Sequence, residues 1–183
     1  MIRQWISSSP DDTLGLGRAV ARHATPGLTI GLEGPLGAGK TLFTRGLYEG
    51  LGLAESEWSG SPTFVLACRY PGPPAVLHAD CYRLESPQEV QDLGLIDAAF
   101  EGAIVVVEWA DRFPDALPAE RLRVRFEPLD ERRREVVLEA VGAVAEHVLE
   151  RVLPSQAGRI VEGAGPSRTV AAEPASEKEM EWR

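Results

Sequence analysis

Residues 34–41 read Gly34-Pro35-Leu36-Gly37-Ala38-Gly39-Lys40-Thr41 and match G-x-x-x-x-G-K-[ST] at every fixed position. That spacing does one kind of chemistry. Glycines let the backbone curl so that several N–H groups converge on an anion with no Cβ in the way. A helix opening behind the loop adds partial positive charge. Gly34, Leu36, Gly37, Ala38, Gly39, Lys40, Thr41 and Leu42 are the residues read as contacting a nucleotide. Lys40 faces the β and γ phosphates, and the Thr41 hydroxyl can ligate Mg²⁺. A chance glycine turn of this form has odds of roughly two in a thousand in a chain of this composition. The lysine itself is informative: of 19 basic residues only Lys40 and Lys178 are not Arg.

Phosphate chemistry of this type needs a carboxylate at the end of a neighbouring buried strand. Ile104-Val105-Val106-Val107-Glu108 offers one, with Glu where Asp is more usual; the competing reading is that Glu108 marks where the strand meets solvent. Trp109 follows, as a wall of the site or as core. Asp80 closes the apolar run 75–79 within His78-Ala79-Asp80-Cys81-Tyr82-Arg83-Leu84. A carboxylate there can orient a water or serve a metal, or it can cap the next turn. His78 alternates toward the sheet face and reads as a plain core histidine, and Arg83 reads as a γ-phosphate contact or a surface ion pair. Ser61-Pro62-Thr63-Phe64 precedes a strand; Thr63 fits a switch threonine sensing the γ-phosphate through Mg²⁺, and Pro62 with Thr63 fits a strand-entry turn as well.

These groups have to be held by elements. Residues 2–6 form a candidate strand, and Ser9 or Asp11 caps a helix over 11–23 with Leu14, Leu16, Ala19 and Val20 inward. Residues 27–33 predict a buried strand, and 40–51 a helix with Leu42, Phe43 and Leu47 inward. Residues 54–62 predict a loop. Strands over 64–70 and 75–79, joined by Pro-Gly-Pro-Pro, predict a hairpin. A helical stretch covers 87–101, and four apolar residues at 104–107 predict a strand buried on both faces. Residues 121–127 and 134–140 alternate with period two and predict a second hairpin. A last helix spans 143–153. The fold class is therefore α/β: a P-loop NTPase fold whose mixed sheet has a parallel core extended by antiparallel hairpin strands, with helices on both faces. One domain is expected over 1–153. The Gly-, Ala-, Pro-, Ser- and Glu-rich residues 154–183 are expected to be a mobile tail.

Composition narrows the function further. A net charge of −9 argues against unaided nucleic-acid binding. Two cysteines, Cys68 and Cys81, make no disulfide framework or zinc site and read as small buried residues. No apolar run approaches a membrane span, and the N-terminal MIRQWISSSPDD lacks the apolar region of a secretory signal. The cytoplasm is the expected address. Asn is absent, which removes the signature that reads guanine and favours ATP over GTP. Scarce amides fit a hot habitat, and a GC-rich genome accounts for the Arg bias equally. Arg121, Arg123 and Arg125 share one strand face, with Arg132, Arg133 and Arg134 at the turn; the main reading is a solvated edge strand guarded by charge, the sharper one a docking patch.

Together GPLGAGKT at 34–41, SPTF at 61–64, HADCYRL at 78–84 and VVEW at 106–109 resemble, in order and spacing, the TsaE (formerly YjeE) family. The resemblance covers about residues 10–140. It implies a compact P-loop fold with ATP/ADP and Mg²⁺ as ligands. It implies an ATPase that drives or resets a complex with TsaD and TsaB counterparts, where TsaD forms threonylcarbamoyladenosine in tRNA. The tRNA itself would be met only indirectly. By motif, Lys40, Asp80 and Glu108 are the catalytic group, Thr41 and Glu108 serve the metal, and Ser61 to Phe64 form the switch-like loop. Three positions depart from the family's pattern: Leu42 replaces a second Thr, Pro35 stands where acidic residues are common, and Gly60 precedes SPTF where an apolar residue is usual. The alternative is a small-molecule P-loop kinase, which would need an acceptor pocket and a lid; residues 111–120 are the one lid candidate. A third reading is a nucleotide-gated binding module.

Overall fold

The computed structural model describes residues 1–53, 58, 60–152 and 160–161. Strand β1 (Ile2–Ser7) leads into helix α1 (Pro10–Ala21), capped by the Ser9 side chain, which accepts from the Asp12 amide. Strand β2 (Thr29–Glu33) runs straight into the glycine-rich loop and helix α2 (Lys40–Gly50). Then follow β3 (Ala67–Tyr70), β4 (Val76–Asp80), the short helices α3 (Pro87–Asp92) and α4 (Leu95–Phe100), and β5 (Ile104–Glu108). Two 3₁₀ turns at Ala110–Arg112 and Pro114–Ala116 precede the hairpin β6 (Arg121–Pro128) and β7 (Arg134–Val141), then α5 (Ala143–Arg151). Ile160–Val161 form a short β8 against β1. Apart from those two residues, the segment from 153 onward lies outside the described residues, as do 54–57 and 59 of the expected loop.

The eight strands make one sheet in the order β3-β4-β5-β2-β6-β7-β1-β8. Strands β4, β5, β2 and β6 are mutually parallel neighbours; β3 is added antiparallel at one side, and β7 and β1 antiparallel at the other. The mixed α/β architecture is the one the sequence predicts. Alternation along β5 shows why its apolar run is uninterrupted. Ile104 and Val106 enter the core beneath α1, α2 and α5, while Val105 and Val107 enter the core beneath α3 and α4. A strand covered on both faces has no solvent side to mark with polar residues. Helices α1 and α2 touch nearly backbone to backbone: a Cβ on Gly46 would lie 2.2 Å from the Leu14 carbonyl oxygen, and one on Gly17 2.2 Å from that of Phe43.

Four local expectations need correction. The helix over 87–101 is two helices, because Gly94 takes a left-handed φ of 68° and breaks the ladder. The strand over 64–70 begins only at Ala67: the Pro62 carbonyl accepts from the Val65 and Leu66 amides, and Leu66 sits at φ 66°, so 62–66 is a turn. Leu14 and Leu42 are half-buried and not core. The arginine-bearing β6 is no edge strand, since it lies between β2 and β7. Arg123 is bound there by Glu33 (2.9 Å) and Glu139 (2.8 Å), ion pairs across neighbouring strands. Among the described residues no helix is long and apolar enough to cross a membrane.

Candidate functional site

The parallel core brings the carboxyl ends of β2, β5 and β4 to one edge of the sheet, where open α/β sheets place their ligands. Register fixes the pairing: Glu108 lies opposite Leu32 on one side and Asp80 on the other. The glycine loop leaves β2 at this edge. Gly34 has φ 128°, and a Cβ there would meet the Phe126 carbonyl oxygen at 2.5 Å, so the first turn of the loop admits only glycine. The loop then carries Leu36 and Gly37 outward, exposed, before Ala38 turns back into the core and Gly39 (φ 115°) starts α2.

Lys40 is 4% exposed, and its Nζ donates to the Gly34 carbonyl (2.7 Å) and the Pro35 carbonyl (2.8 Å). The same ammonium lies 3.7 Å from the centroid of the Trp109 ring, a cation–π contact. Burial pulls its pKa below the ordinary lysine value, against the opposing pull of Glu108, Asp111 and Asp80. Trp109 itself stands at φ 60°, a left-handed backbone for a bulky residue at the end of β5, and its ring also packs on Tyr82 at 4.9 Å. It walls the lysine, which the sequence leaves open between wall and core.

Thr41 Oγ1 donates to Glu108 Oε2 at 3.1 Å. The other carboxylate oxygen, Oε1, lies 3.2 Å from His78 Nε2. Asp80 is 1% exposed and fully engaged: its Oδ2 accepts from Ser61 Oγ (2.5 Å) and Thr63 Oγ1 (2.6 Å), and its Oδ1 from the Tyr82 amide (2.8 Å). The structure therefore brings Lys40, Thr41, Glu108, Asp80, Ser61 and Thr63 into one cluster around the loop. Leu42 stands one residue further along α2, half-buried. Arg83 places its guanidinium over the Phe64 ring at 5.3 Å.

Thr41 and Glu108 together present hard oxygen atoms, the donor type Mg²⁺ takes. Among the described residues there is no cluster of three or more His, Cys, Asp or Glu fit to cage a metal. Mg²⁺ does not require one, because it keeps several waters and is completed by substrate phosphates. The donor set fits the ion.

Arg134 belongs to the site's outer rim although its sequence context reads as a solvated arginine run. From the start of β7 its Nη1 reaches the Ala38 carbonyl at 3.4 Å, and it would lie 3.0 Å from a Cβ on Gly39. Only the β6–β7 pairing brings it there, so no local signal marks it.

The chain is similar to known proteins of one family. The family described as "Threonylcarbamoyl adenosine biosynthesis protein TsaE" matches residues 7–136. The chain is 38% identical over 151 residues to the tRNA threonylcarbamoyladenosine biosynthesis protein TsaE of Bacillus subtilis, covering 81% of this chain and 92% of that one. It is 35% identical to its counterpart in Treponema pallidum, covering 73% of this chain and 97% of that one. The crystal structure of Bacillus subtilis YdiB superposes with a TM-score of 0.68 at 31% identity, covering 83% of this chain and 94% of that chain.

Proposed function

The chain belongs to the TsaE family, and on that footing we propose that it is an Mg²⁺-dependent ATPase serving threonylcarbamoyladenosine formation in tRNA, acting with TsaD and TsaB counterparts in the cytoplasm. The observation that carries the reading is the convergence at one sheet edge of the glycine loop, Lys40, the Thr41–Glu108 pair and Asp80. The loop amides and the α2 N-terminus bind phosphate oxygens. Lys40 turns from the Gly34 and Pro35 carbonyls to face them. Thr41 and Glu108 would hold the metal, which would supply charge neutralisation for the phosphates. Asp80, beside Glu108, orients the attacking water, and Ser61 and Thr63 couple that carboxylate to the loop on which they sit.

The kinase alternative has less support. Its candidate lid, 111–120, is tied down by Ala116 and Leu117, which are buried in the core beneath α3 and α4. The test is steady-state ATP hydrolysis with Mg²⁺ by the protein alone, with TsaD and TsaB added, and with Lys40→Ala in both settings. The expected result is slow turnover alone, a clear rise with the partners, and loss of both in the variant. Turnover unaffected by Lys40→Ala would overturn the site. Turnover indifferent to the partners would return the kinase reading.

A further inference from the structure

His78 lies in the middle of β4, between Leu77 and Ala79, and is completely buried. Packing alone would be served better by an apolar side chain, because an imidazole loses hydration when buried and needs a partner in return. On its strand it shares a face with Val76 and Asp80, and that face lies under α2, as does the face of β5 that carries Ile104, Val106 and Glu108. Register places Val106 opposite His78, so Glu108 is its diagonal neighbour one step toward the site. The ring is held there by aromatic packing: Trp58 stacks on it at 6.1 Å with planes 8° apart, and Tyr48 of α2 leans on it at 5.9 Å. Tyr48 in turn packs edge-on against Trp58 and Tyr70.

The hydrogen-bond pattern fixes what the ring does. Nδ1 is buried with no partner among the described residues, while Nε2 lies 3.2 Å from Glu108 Oε1. A hydrogen on Nδ1 alone would leave a buried donor unsatisfied and aim a lone pair at a carboxylate. A hydrogen on Nε2 donates to Glu108 and avoids both penalties. Glu108 is thus gripped from two sides, Oε1 by His78 and Oε2 by Thr41.

We propose that His78 is a positioning residue for the metal site: clamped by Trp58 and Tyr48, its Nε2–H fixes the rotation of the Glu108 carboxylate and so presents Oε2 together with Thr41 Oγ1 to Mg²⁺. This rests on the metal reading of Thr41 and Glu108 given above. Partners that orient a ligating carboxylate are worth about 10–100-fold in metal affinity.

The test is titration of a fluorescent ADP analogue with MgCl₂ and in EDTA, using the wild type and His78→Leu, His78→Gln and His78→Asn. A Gln amide can place its nitrogen where Nε2 stands, whereas Asn reaches only toward Nδ1. The expected result is an Mg²⁺ midpoint raised about tenfold or more in His78→Leu and His78→Asn, largely recovered in His78→Gln, with metal-free nucleotide affinity unchanged throughout. If the leucine variant does not fold, the Gln–Asn pair decides alone, since both keep a polar side chain of similar bulk. Equal Mg²⁺ midpoints in the Gln and Asn variants, or equal losses with and without metal, would overturn the proposal and return His78 to a packing role. A wild type whose nucleotide affinity ignores Mg²⁺ would overturn the metal reading itself, and this proposal with it.

Discussion

Cys81 follows Asp80 at the end of β4 and is 1% exposed. Burial, reinforced by the Asp80 charge, pushes its thiol up to about 12 from an ordinary 9.0. The sign of the stability effect follows from which state holds the proton. Between those values the unfolded chain has lost the thiol proton and the native protein keeps it, so stability falls as pH rises, by at most about 1.4 kcal/mol per pH unit. Burial raises the Tyr48 phenol as well, and its loss sets in near the ordinary tyrosine value of 10.0. Lys40, its pKa lowered by burial, and Tyr48 also contribute near pH 10, so the thiol is read from the difference between the wild type and Cys81→Ala in urea unfolding at pH 9 and pH 10. Cys81→Ala is expected to lose up to about 1 kcal/mol less than the wild type across that interval. Equal slopes would show that the thiol is not shielded as its burial requires. At this scale the candidate phosphate loop is legible in the sequence because its physics is local: Gly34, Gly39, Lys40 and Thr41 lie within one short stretch of backbone. Glu108 is legible from the apolar run it terminates. His78 and Arg134 are not, because one takes its meaning from a diagonal contact across β4 and β5, the other from the distant pairing of β6 with β7.

The element that positions Lys40 and Thr41 is α2, and its own position depends on α1. Gly46 on α2 meets the Leu14 carbonyl, and Gly17 on α1 meets the Phe43 carbonyl, each so closely that an added Cβ would sit 2.2 Å from an oxygen. Two effects of Gly→Ala compete. Alanine is the better helix former by about 1 kcal/mol. Overpacking against a backbone that cannot rotate away costs about 1–3 kcal/mol, occasionally more. At 2.2 Å the second prevails. Gly46→Ala and Gly17→Ala are each expected to lower urea-unfolding stability by up to about 2 kcal/mol net, and Gly46→Ala to weaken nucleotide binding too by tilting α2. Unchanged or raised stability would mean the two helices can part without cost. The same scale explains where sequence reading and structure differ. Period and composition reveal β1, β2, β5 and the β6–β7 hairpin, since each buries a face. They do not reveal that Gly94 splits 87–101, as a single glycine inside a helical pattern is tolerated as often as it breaks one. Nor do they show β6 pairing in parallel with β2, a contact that local pattern does not encode and that turns a supposed edge strand into an interior one.

Across the whole molecule, the proposed nucleotide binding would be tied to the stability of the entire sheet. The site is built on the ends of β2, β4 and β5, three of the four parallel strands, and these strands contribute to the cores on both faces. Opening the site alone would tear strands that hold both layers together, so the binding-competent form and the folded form are one state. Ligand that binds only that state adds RT ln(1 + [L]/Kd), about 2.7 kcal/mol at a hundredfold excess over Kd. For a protein of this size that corresponds to a rise in Tm on the order of 5–10 °C. Thermal melts with saturating ADP and Mg²⁺ are expected to show this shift, a smaller one with ADP in EDTA, and none with Lys40→Ala. A shift confined to a minor early transition would mean that the loop opens independently of the sheet. An equal shift in the wild type and Lys40→Ala would place the nucleotide somewhere other than the loop that leaves β2. The net charge of −9 sharpens the contrast. A phosphate ligand is repelled by the molecule as a whole, so on the proposed reading it is held by local groups, the loop amides, Lys40 and the metal at Thr41 and Glu108, and removing the lysine should abolish the stabilisation.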